Sequence, residues 1–265
     1  MTRLWGAAAV FCGVASASLL PMVKMDPQAV AAWQSYADSY DKGAGAEFAQ
    51  AGKLWIDGQS RARLDDCRNG KAVIEIIGDR AVPGGQLHHV VGAVWVPAAT
   101  IESVHRQLQN YAGYQTMYRP DVVKSSGELL PGSTPDRQRY KVSLRLLQST
   151  LWIEAGFEGE YASTFVKFDA KRSETHSQST SIREYKDPHD PSQGLFPEGE
   201  DHGFLWRTAT WWRARERDGG VDLELTSISL TKPVPTGAGW WASRKSRQTV
   251  EHLLNQTRAA IQAGN

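Results

Sequence analysis

The residues best placed to hold the polar group of a small molecule lie in two segments near the C-terminus. Arg-Asp-Gly-Gly at 217–220 separates the segments, and Asp-Gly is typical of a two-residue type I′ hairpin turn, which needs positive φ at both central residues. With these two residues as the loop, Thr210 faces Ser227 and Thr208 faces Ser229 across the strands. Four hydroxyls on one face could hydrogen-bond the polar group of a ligand.

Apolar side chains flank this hydroxyl patch (Thr208, Thr210, Ser227 and Ser229) on the same face. The register pairs Trp206 with Thr231 and Trp212 with Leu225, which gives the face apolar walls around a polar centre. Cross-strand Thr–Ser pairs also stabilise sheets that bind nothing, and this alternative stays open. The candidate ligand-binding residues are Trp206, Thr208, Thr210, Trp212, Leu225, Ser227 and Ser229.

The other face of the hairpin carries opposite charges. Its register places Arg215 opposite Asp222 and Arg213 opposite Glu224. Opposite charges across a strand pair attract one another at a wet surface. This face is therefore expected to meet water.

Common catalytic and metal-binding motifs are missing from the sequence. It contains no Gly-x-Ser-x-Gly nucleophile elbow and no His-Glu-x-x-His zinc motif. His88 and His89 are adjacent, so a strand would point them to opposite faces. His176, His189 and His202 lie in polar segments where exposure is expected. No metal site, no cofactor and no catalytic set are therefore predicted.

Acid–base catalysis inside a cavity is the enzymatic alternative that stays open. Its candidates are Arg145, Glu154, Glu158 and Glu216. Each suits a solvated position on a sheet, because Glu and Arg are seldom buried unpaired. No catalytic role is assigned to any of them.

Charge and composition describe an ordinary globular protein. Of 265 residues, 41% are hydrophobic and 22% are charged, which allows one large domain or a domain with an extension. Lys and Arg number 30 against 29 Asp and Glu, for a net charge of +1. A nucleic-acid partner is not predicted, since no basic excess is present. No oligomeric state follows from the sequence.

The N-terminus has the pattern of a secretory signal peptide. Arg3 is followed by an apolar run at 4–14 and by Ala-Ser-Ala at 15–17, a small-residue cleavage site. Cleavage after Ala17 would place the protein in the periplasm or outside the cell and would leave Cys67 as the sole cysteine, without an internal disulfide. The alternative is an N-terminal helix packed on the domain.

Secondary-structure signals divide the chain into helices at both ends and strands between them. Asp26-Pro27 predicts a helix that runs to about Tyr40 and stops near Gly43. Residues 44–67 are expected to be partly helical or irregular. Strands are predicted at 72–77, 86–96, 122–130, 137–148 and 151–169, with a helix from Thr100 to about Gly113. The polar segment 175–185 predicts an edge strand, and 186–203 predicts a mobile loop.

The last segment predicts an amphipathic helix. Val250, Leu253, Leu254 and Ile261 recur at helical spacing and form one apolar side. We expect this helix to lie along the inner face of a curved antiparallel sheet. The order of elements shows no βαβ alternation, so the fold class is α+β.

Three segments carry a resemblance to a known superfamily. They are G-A-V-W-V-P-A at 92–98, Y-R-P-D-V-V-K-S at 118–125, and the hairpin W-W-R-A-R-E-R-D-G-G-V-D-L-E-L-T-S-I-S-L at 211–230 with its following helix. From about Gly70 onwards the chain resembles the START-like, SRPBCC or helix-grip superfamily, which includes lipid-transfer domains and polyketide cyclases. The resemblance implies a curved antiparallel sheet that grips a long C-terminal helix. The domains are then a signal peptide at 1–17, a helical or irregular extension at 18–70 and a START-like ligand-binding domain at 71–265.

The resemblance also implies a function. Its cavity between sheet and helix usually holds an apolar molecule, so we expect an exported carrier of a lipid, sterol, isoprenoid or polyketide-like ligand. A cyclase, dehydratase or hydrolase using the same cavity is the alternative, and an interaction module with a filled core is a third. The pair Trp240-Trp241 could touch a membrane during loading, form a protein contact, or fasten the loop onto the helix.

Overall fold

A computed structural model describes residues 15–16, 21–149, 153–234 and 239–264. The predicted signal peptide lies outside this range except for Ala15–Ser16, which pair in parallel with Ile153 and Glu154. The side chains of Trp240 and Trp241 lie outside the description. Among the described helices, none has the length and apolar character that a bilayer crossing requires.

The described chain has six α-helices and eight long strands. The helices are α1 (Pro27–Tyr40), α2 (Ala46–Ala51), α3 (Arg61–Arg68), α4 (Ile101–Leu108), α5 (Tyr114–Met117) and α6 (Gly239–Ala263). The long strands are β1 (Val73–Val82), β2 (Gly85–Pro97), β3 (Val122–Leu129), β4 (Arg137–Ser149), β5 (Ile153–Asp169), β6 (Arg172–Glu184), β7 (Arg207–Arg217) and β8 (Gly220–Thr231). The helical elements between 27 and 68 precede β1, and the predicted domain division at residue 70 stays a prediction.

The eight long strands of the described chain form one antiparallel sheet. Their order is β1-β2-β8-β7-β6-β5-β4-β3, and α6 packs against one face, which is the helix-grip architecture expected from the sequence. The prediction that the polar segment at 175–185 is an edge strand was wrong, because β6 pairs with both β7 and β5. Its polar side chains have other roles: Glu174 accepts from the buried Arg213 on one face, and Thr175 and Ser177 line the cavity between sheet and α6 on the other.

The hairpin of β7 and β8 has the predicted register over most of its length. Arg215 pairs with Asp222, Thr210 with Ser227 and Thr208 with Ser229. Asp218, with φ of 52°, and Gly219 form the loop. The predicted Trp206–Thr231 pair was wrong, because regular pairing begins only at Arg207.

On the concave side, α6 fills the curve of the sheet. Val250, Leu254 and Ile261 are fully buried, as predicted, and they join an apolar core with residues of β2 and β8. Leu253 packs against the same core. The helix approaches β2 closely at Gly92, where an added Cβ would lie 2.8 Å from Cδ1 of Leu254. A glycine is therefore needed where helix and sheet meet.

On the convex side, the N-terminal helices cover the charged face of the hairpin. The prediction that this face meets water was wrong: Arg213 is 2% exposed, and Glu224 and Asp222 are each 1% exposed. Arg213 donates to Oε2 of Glu174 at 2.6 Å and to the hydroxyl of Tyr40 at 2.7 Å. The charges are stabilised by groups of the extension and by one another, not by solvent.

The extension stays helical beyond the predicted stop. Asp26 caps α1 by accepting from the backbone N–H of Gln28 at 2.8 Å. After Tyr40 the chain continues through a π-helical turn, Asp41–Gly45, into α2. The helix ends at Gly52, whose φ of 65° is left-handed. Gly43 therefore does not end the helix.

Two of the histidines expected to be exposed are covered. The ring of His176 stacks on Trp211, with centroids 4.6 Å apart. His202 is 2% exposed, and its Nδ1 lies 2.7 Å from Oε1 of the buried Glu184. His189 is exposed, as predicted. His202 lies in the segment predicted as a mobile loop, and it anchors the end of that segment to β6.

Candidate ligand cavity

A cavity of about 280 Å³ lies between the concave face of the sheet and α6. Apolar and aromatic side chains make up most of its wall, and hydroxyls from β6, β7 and β8 interrupt it. This volume is slightly below the range for small-molecule sites, about 300–1,000 Å³. The side chains of the wall include His88, Tyr111, Tyr114, Tyr118, Tyr161, Thr208, Thr210, Trp212, Ser227, Ser229, Thr231 and Lys245.

Five of the seven candidate residues line this cavity: Thr208, Thr210, Trp212, Ser227 and Ser229. The four hydroxyls face one another in the predicted pairs. Their side chains make no hydrogen bond to any residue that the structure describes, whereas hydroxyls of Tyr40 and Thr226 on the other face do bond each other, at 2.7 Å. The hydroxyl patch is therefore open to a ligand and is not used up by cross-strand bonds.

The other two candidates do not reach the cavity. Trp206 precedes the regular part of β7, so its side chain lies on the opposite face, where its Nε1–H donates to Oδ1 of Asp201 at 3.0 Å. Leu225 is fully buried in the core between sheet and α6. The period-two rule failed for Trp206 because it applies only inside a paired strand.

A group of tyrosines forms the wall opposite the hairpin. The hydroxyl of Tyr111 lies 2.8 Å from Oγ of Ser163, and that of Tyr118 lies 2.8 Å from Oγ1 of Thr257 on α6. Burial raises the pKa of Tyr111 to about 12 and that of Tyr118 further still. These phenols are therefore neutral and structural. Sequence reasoning placed Tyr111 in a helix and missed its place in the cavity.

A second polar group lies beside the hydroxyl patch. Nδ1 of His88 is 2.7 Å from Oδ1 of Asp79, and Nε2 is 3.0 Å from Oγ1 of Thr231. The neighbouring His89 points to the other face, as predicted, where Nδ1 lies 2.9 Å from the Tyr36 hydroxyl. Burial lowers the pKa of His89 to about 4, so this imidazole is neutral at pH 7.

The Asp79–His88 contact could not be read from the sequence because it depends on a β-bulge. Ile77 is an extra residue in β1, and the register shifts between Ile76 and Gly78. As a result Asp79, and not Gly78, stands opposite His88. Bulges commonly re-aim a side chain in this way.

Near the start of α6, Lys245 contributes a positive charge to the cavity wall. Lys245 is half-buried, and it forms no ion pair with any described residue. The other polar residues that line the cavity are Asp121, Gln148, Thr175, Ser177, Ser246 and Thr249. An ammonium group at the cavity wall, with no ion-pair partner among the described residues, would favour a ligand that carries an acidic or strongly polar end.

The four acid–base candidates lie outside the cavity. Glu216 accepts from the backbone N–H of Ile101 at 3.1 Å, and Glu158 accepts from Arg183 at 3.0 Å. Glu154 lies 2.7 Å from Nε2 of His189, and Arg145 donates to the carbonyl of Pro188 at 3.0 Å. All four therefore have structural partners.

Nothing among the described residues resembles a metal centre. No group of three His, Cys, Asp or Glu side chains there could hold an ion. Cys67 is buried, and burial together with the nearby Asp222 carboxylate raises the pKa of its thiol to about 11. A thiol with so high a pKa is protonated and a poor nucleophile at neutral pH.

The chain is similar to several solved structures of START-type and cyclase proteins. A STAR-related lipid transfer protein from Xanthomonas axonopodis shares 18% identity over 71% of this chain and 98% of its own, with a TM-score of 0.46. The Zhui aromatase/cyclase from Streptomyces shares 18% identity over 66% and 94%, with a TM-score of 0.41. Human STARD10 shares 11% over 79% and 81%, with a TM-score of 0.42.

These similarities are too distant to transfer a ligand or an activity. No protein-family model and no curated protein matches the sequence. The helix-grip fold is defined by the strand order of this chain and by the position of α6.

Proposed function

We propose that this protein binds an apolar small molecule that carries one polar group. The observation behind this proposal is the hydroxyl patch, which lies inside a largely apolar cavity with no hydrogen-bonding partner among the described residues. Hydroxyls that line a largely apolar cavity are stabilised when water or a ligand hydrogen-bonds them. A ligand hydroxyl, carbonyl or carboxyl placed against the patch would do so.

The size of the cavity limits the size of the ligands that it can hold. About 280 Å³ suits a single acyl or isoprenoid chain or a small polycyclic molecule better than a two-chain lipid. The apolar part would contact Trp212 and Leu253, which both line the wall. Apolar burial would supply most of the affinity, and the hydroxyls would orient the ligand.

We infer further that the protein is an exported carrier. The inference is supported by the charged, apolar and small-residue segments of 3–17, in the order of a secretory signal. An apolar molecule that crosses an aqueous compartment needs a shielded site of this kind. Localisation is tested by sequencing the N-terminus of the mature protein, which should begin at Ser18.

Native mass spectrometry of the purified protein tests the binding function. We expect a bound molecule with the mass of a small lipid or polycycle, which organic extraction would release and identify. Ser227→Trp should fill the cavity and abolish this added mass. Thr180→Trp, a change at an exposed threonine of β6, should retain it. Equal occupancy in both variants, with both folded, would contradict the proposed site.

A further inference from the structure

The side chains of Asp79, His88 and Thr231 form a continuous chain of hydrogen bonds that ends at the cavity. The two contacts measure 2.7 Å and 3.0 Å, both within hydrogen-bonding distance. The side chain of His88 is 2% exposed and that of Asp79 is 20% exposed. Both His88 and Thr231 line the cavity. An acid, an imidazole and a hydroxyl thus stand in the order that activates a hydroxyl nucleophile.

The aspartate fixes which nitrogen of the imidazole can act as a base. A carboxylate accepts hydrogen bonds, so it holds a proton on Nδ1 of His88. In the neutral ring Nε2 is then left with a lone pair directed at the hydroxyl of Thr231. The carbonyl of Lys232, 2.9 Å from the same hydroxyl, is a second acceptor, so this hydroxyl can turn between the two.

This arrangement depends on a break in the regular pairing of two strands. The extra residue Ile77 in β1 interrupts the ladder and places Asp79 opposite His88. His88 in turn stands opposite Ser229, and Thr231 lies two residues further along β8. Three strands therefore contribute to one polar site, on the same face as the unpaired hydroxyls of Thr208 and Ser229.

We propose that Thr231 is a nucleophile, His88 its general base and Asp79 a positioning residue, and that together they cleave an apolar carboxylic ester in the cavity. The proposal rests on the ligand cavity of the proposed function. Ser229, two residues before Thr231 on β8, and Thr208, its partner across the hairpin, would donate hydrogen bonds to the developing negative charge on the ester carbonyl.

The reaction proceeds in two steps, transfer of the acyl group to Thr231 and hydrolysis of the acyl-threonine. Oγ1 of Thr231 bonds to the ester carbonyl carbon as its proton passes to Nε2 of His88. The bond from that carbon to the alcohol oxygen then breaks, and the alcohol leaves with the proton. Water attacks the acyl-threonine, giving its proton to Nε2, and the returning proton restores the Thr231 hydroxyl as the carboxylic acid departs.

The test uses the full chain with p-nitrophenyl octanoate as substrate. We expect release of p-nitrophenolate and, in early samples, a protein mass increased by one octanoyl group, mapped by peptide sequencing to Thr231. Thr231→Val keeps the shape and removes the hydroxyl, so hydrolysis should fall by at least ~100-fold and the adduct should disappear. Thr231→Ser should restore both.

The positioning role of Asp79 needs its own readout. Asp79→Asn should lower kcat with little change in KM, because the substrate contacts are retained while the tautomer of His88 is lost. His189→Gln removes a surface His–carboxylate pair of the same length, 2.7 Å, and should leave hydrolysis unchanged. Thr180→Val is the matched control for Thr231→Val.

Binding of the fluorescent probe 1-anilinonaphthalene-8-sulfonate is measured on the same samples. Probe binding without an adduct, with hydrolysis equal to that of Thr231→Val, would overturn the catalytic proposal and leave the binding function standing. An adduct on another residue would also overturn it. If the folded wild-type protein neither binds the probe nor hydrolyses the ester, the cavity itself is contradicted.

Discussion

The backbone N–H of Trp55 donates to Oε2 of Glu224 at 2.7 Å, which joins the N-terminal helical layer to the middle of the sheet. Glu224 is 1% exposed. Burial raises the pKa of its carboxyl to about 7, although the nearby Arg213 guanidinium opposes the shift. A carboxyl with so high a pKa makes the stability of this contact depend on pH near neutrality.

The sign of this dependence follows from proton linkage. Between the ordinary Glu pKa near 4.5 and about 7, folded Glu224 binds more protons than the unfolded chain does. Its contribution to the free energy of unfolding therefore falls as pH rises through this window. Glu224→Gln keeps a hydrogen-bond acceptor for Trp55 and removes the ionisation.

We expect Glu224→Gln to gain stability relative to wild type between pH 5 and pH 8, by up to roughly 3 kcal/mol. Urea unfolding at the two pH values measures the change. Glu47→Gln, an exposed acid in the same helical layer, should show no such trend. A difference from wild type that is equal at both pH values would contradict the expectation.

The close approach of α6 to β2 predicts a steric effect at Gly92. Gly92→Ala would place a Cβ against Cδ1 of Ile74 on β1, 2.8 Å from Cδ1 of Leu254 and 3.1 Å from Cγ1 of Val250, so these packed side chains must move. We expect a loss of about 1–3 kcal/mol in the free energy of unfolding. Gly43→Ala is the control, since an added Cβ there meets nothing within 4 Å. Equal stability of the two variants would disprove the steric argument.

The buried pair Tyr118 and Thr257 ties the tyrosine wall to α6. Their hydroxyl oxygens lie 2.8 Å apart, and Thr257 is fully buried. Tyr118→Phe or Thr257→Val alone should cost about 1–3 kcal/mol, because each leaves a buried hydroxyl unpaired. The double variant should cost less than the sum. Additive losses in a double-mutant cycle would show that the two hydroxyls act independently.

Removing one of the unpaired hydroxyls should weaken ligand binding without lowering the stability of the fold. Thr210→Val keeps the side-chain shape, and it removes a hydroxyl that bonds no described residue. Affinity for the copurified ligand should fall about 5–30-fold, measured by titration of the extracted compound. The free energy of unfolding should not fall. A loss of stability with unchanged affinity would identify the hydroxyl as structural.

Local patterns in the sequence predicted much of the fold and part of the cavity. The Asp-Gly turn fixed the hairpin register, which put Thr208, Thr210, Ser227 and Ser229 on one wall. The spacing of Val250, Leu254 and Ile261 identified the buried side of α6. These features depend on residues near one another in the chain, where periodicity and turn chemistry act.

The predictions that failed depended on distant contacts. Arg213 was expected to be exposed to solvent because no sequence rule indicated that Tyr40, 173 residues away in the chain, would cover it. The bulge at Ile77 places Asp79 opposite His88, and the sequence of a single strand shows no sign of it. The polar strand β6 lies inside the sheet, with helices of the extension over one face and the largely apolar cavity, which Thr175 and Ser177 line, over the other.

The position of α1 has a consequence for how the protein is made. Nε1–H of Trp33 donates to the carbonyl of Ile228 at 3.1 Å, across 195 residues of chain. Because synthesis starts at the N-terminus, the first helix leaves the ribosome long before its binding surface on β8 exists. The side chain of Trp33 therefore remains uncovered until the last quarter of the chain has been translated. Burial of this side chain therefore requires both ends of the chain, and a chain cut short before β8 would leave this tryptophan exposed and prone to aggregation.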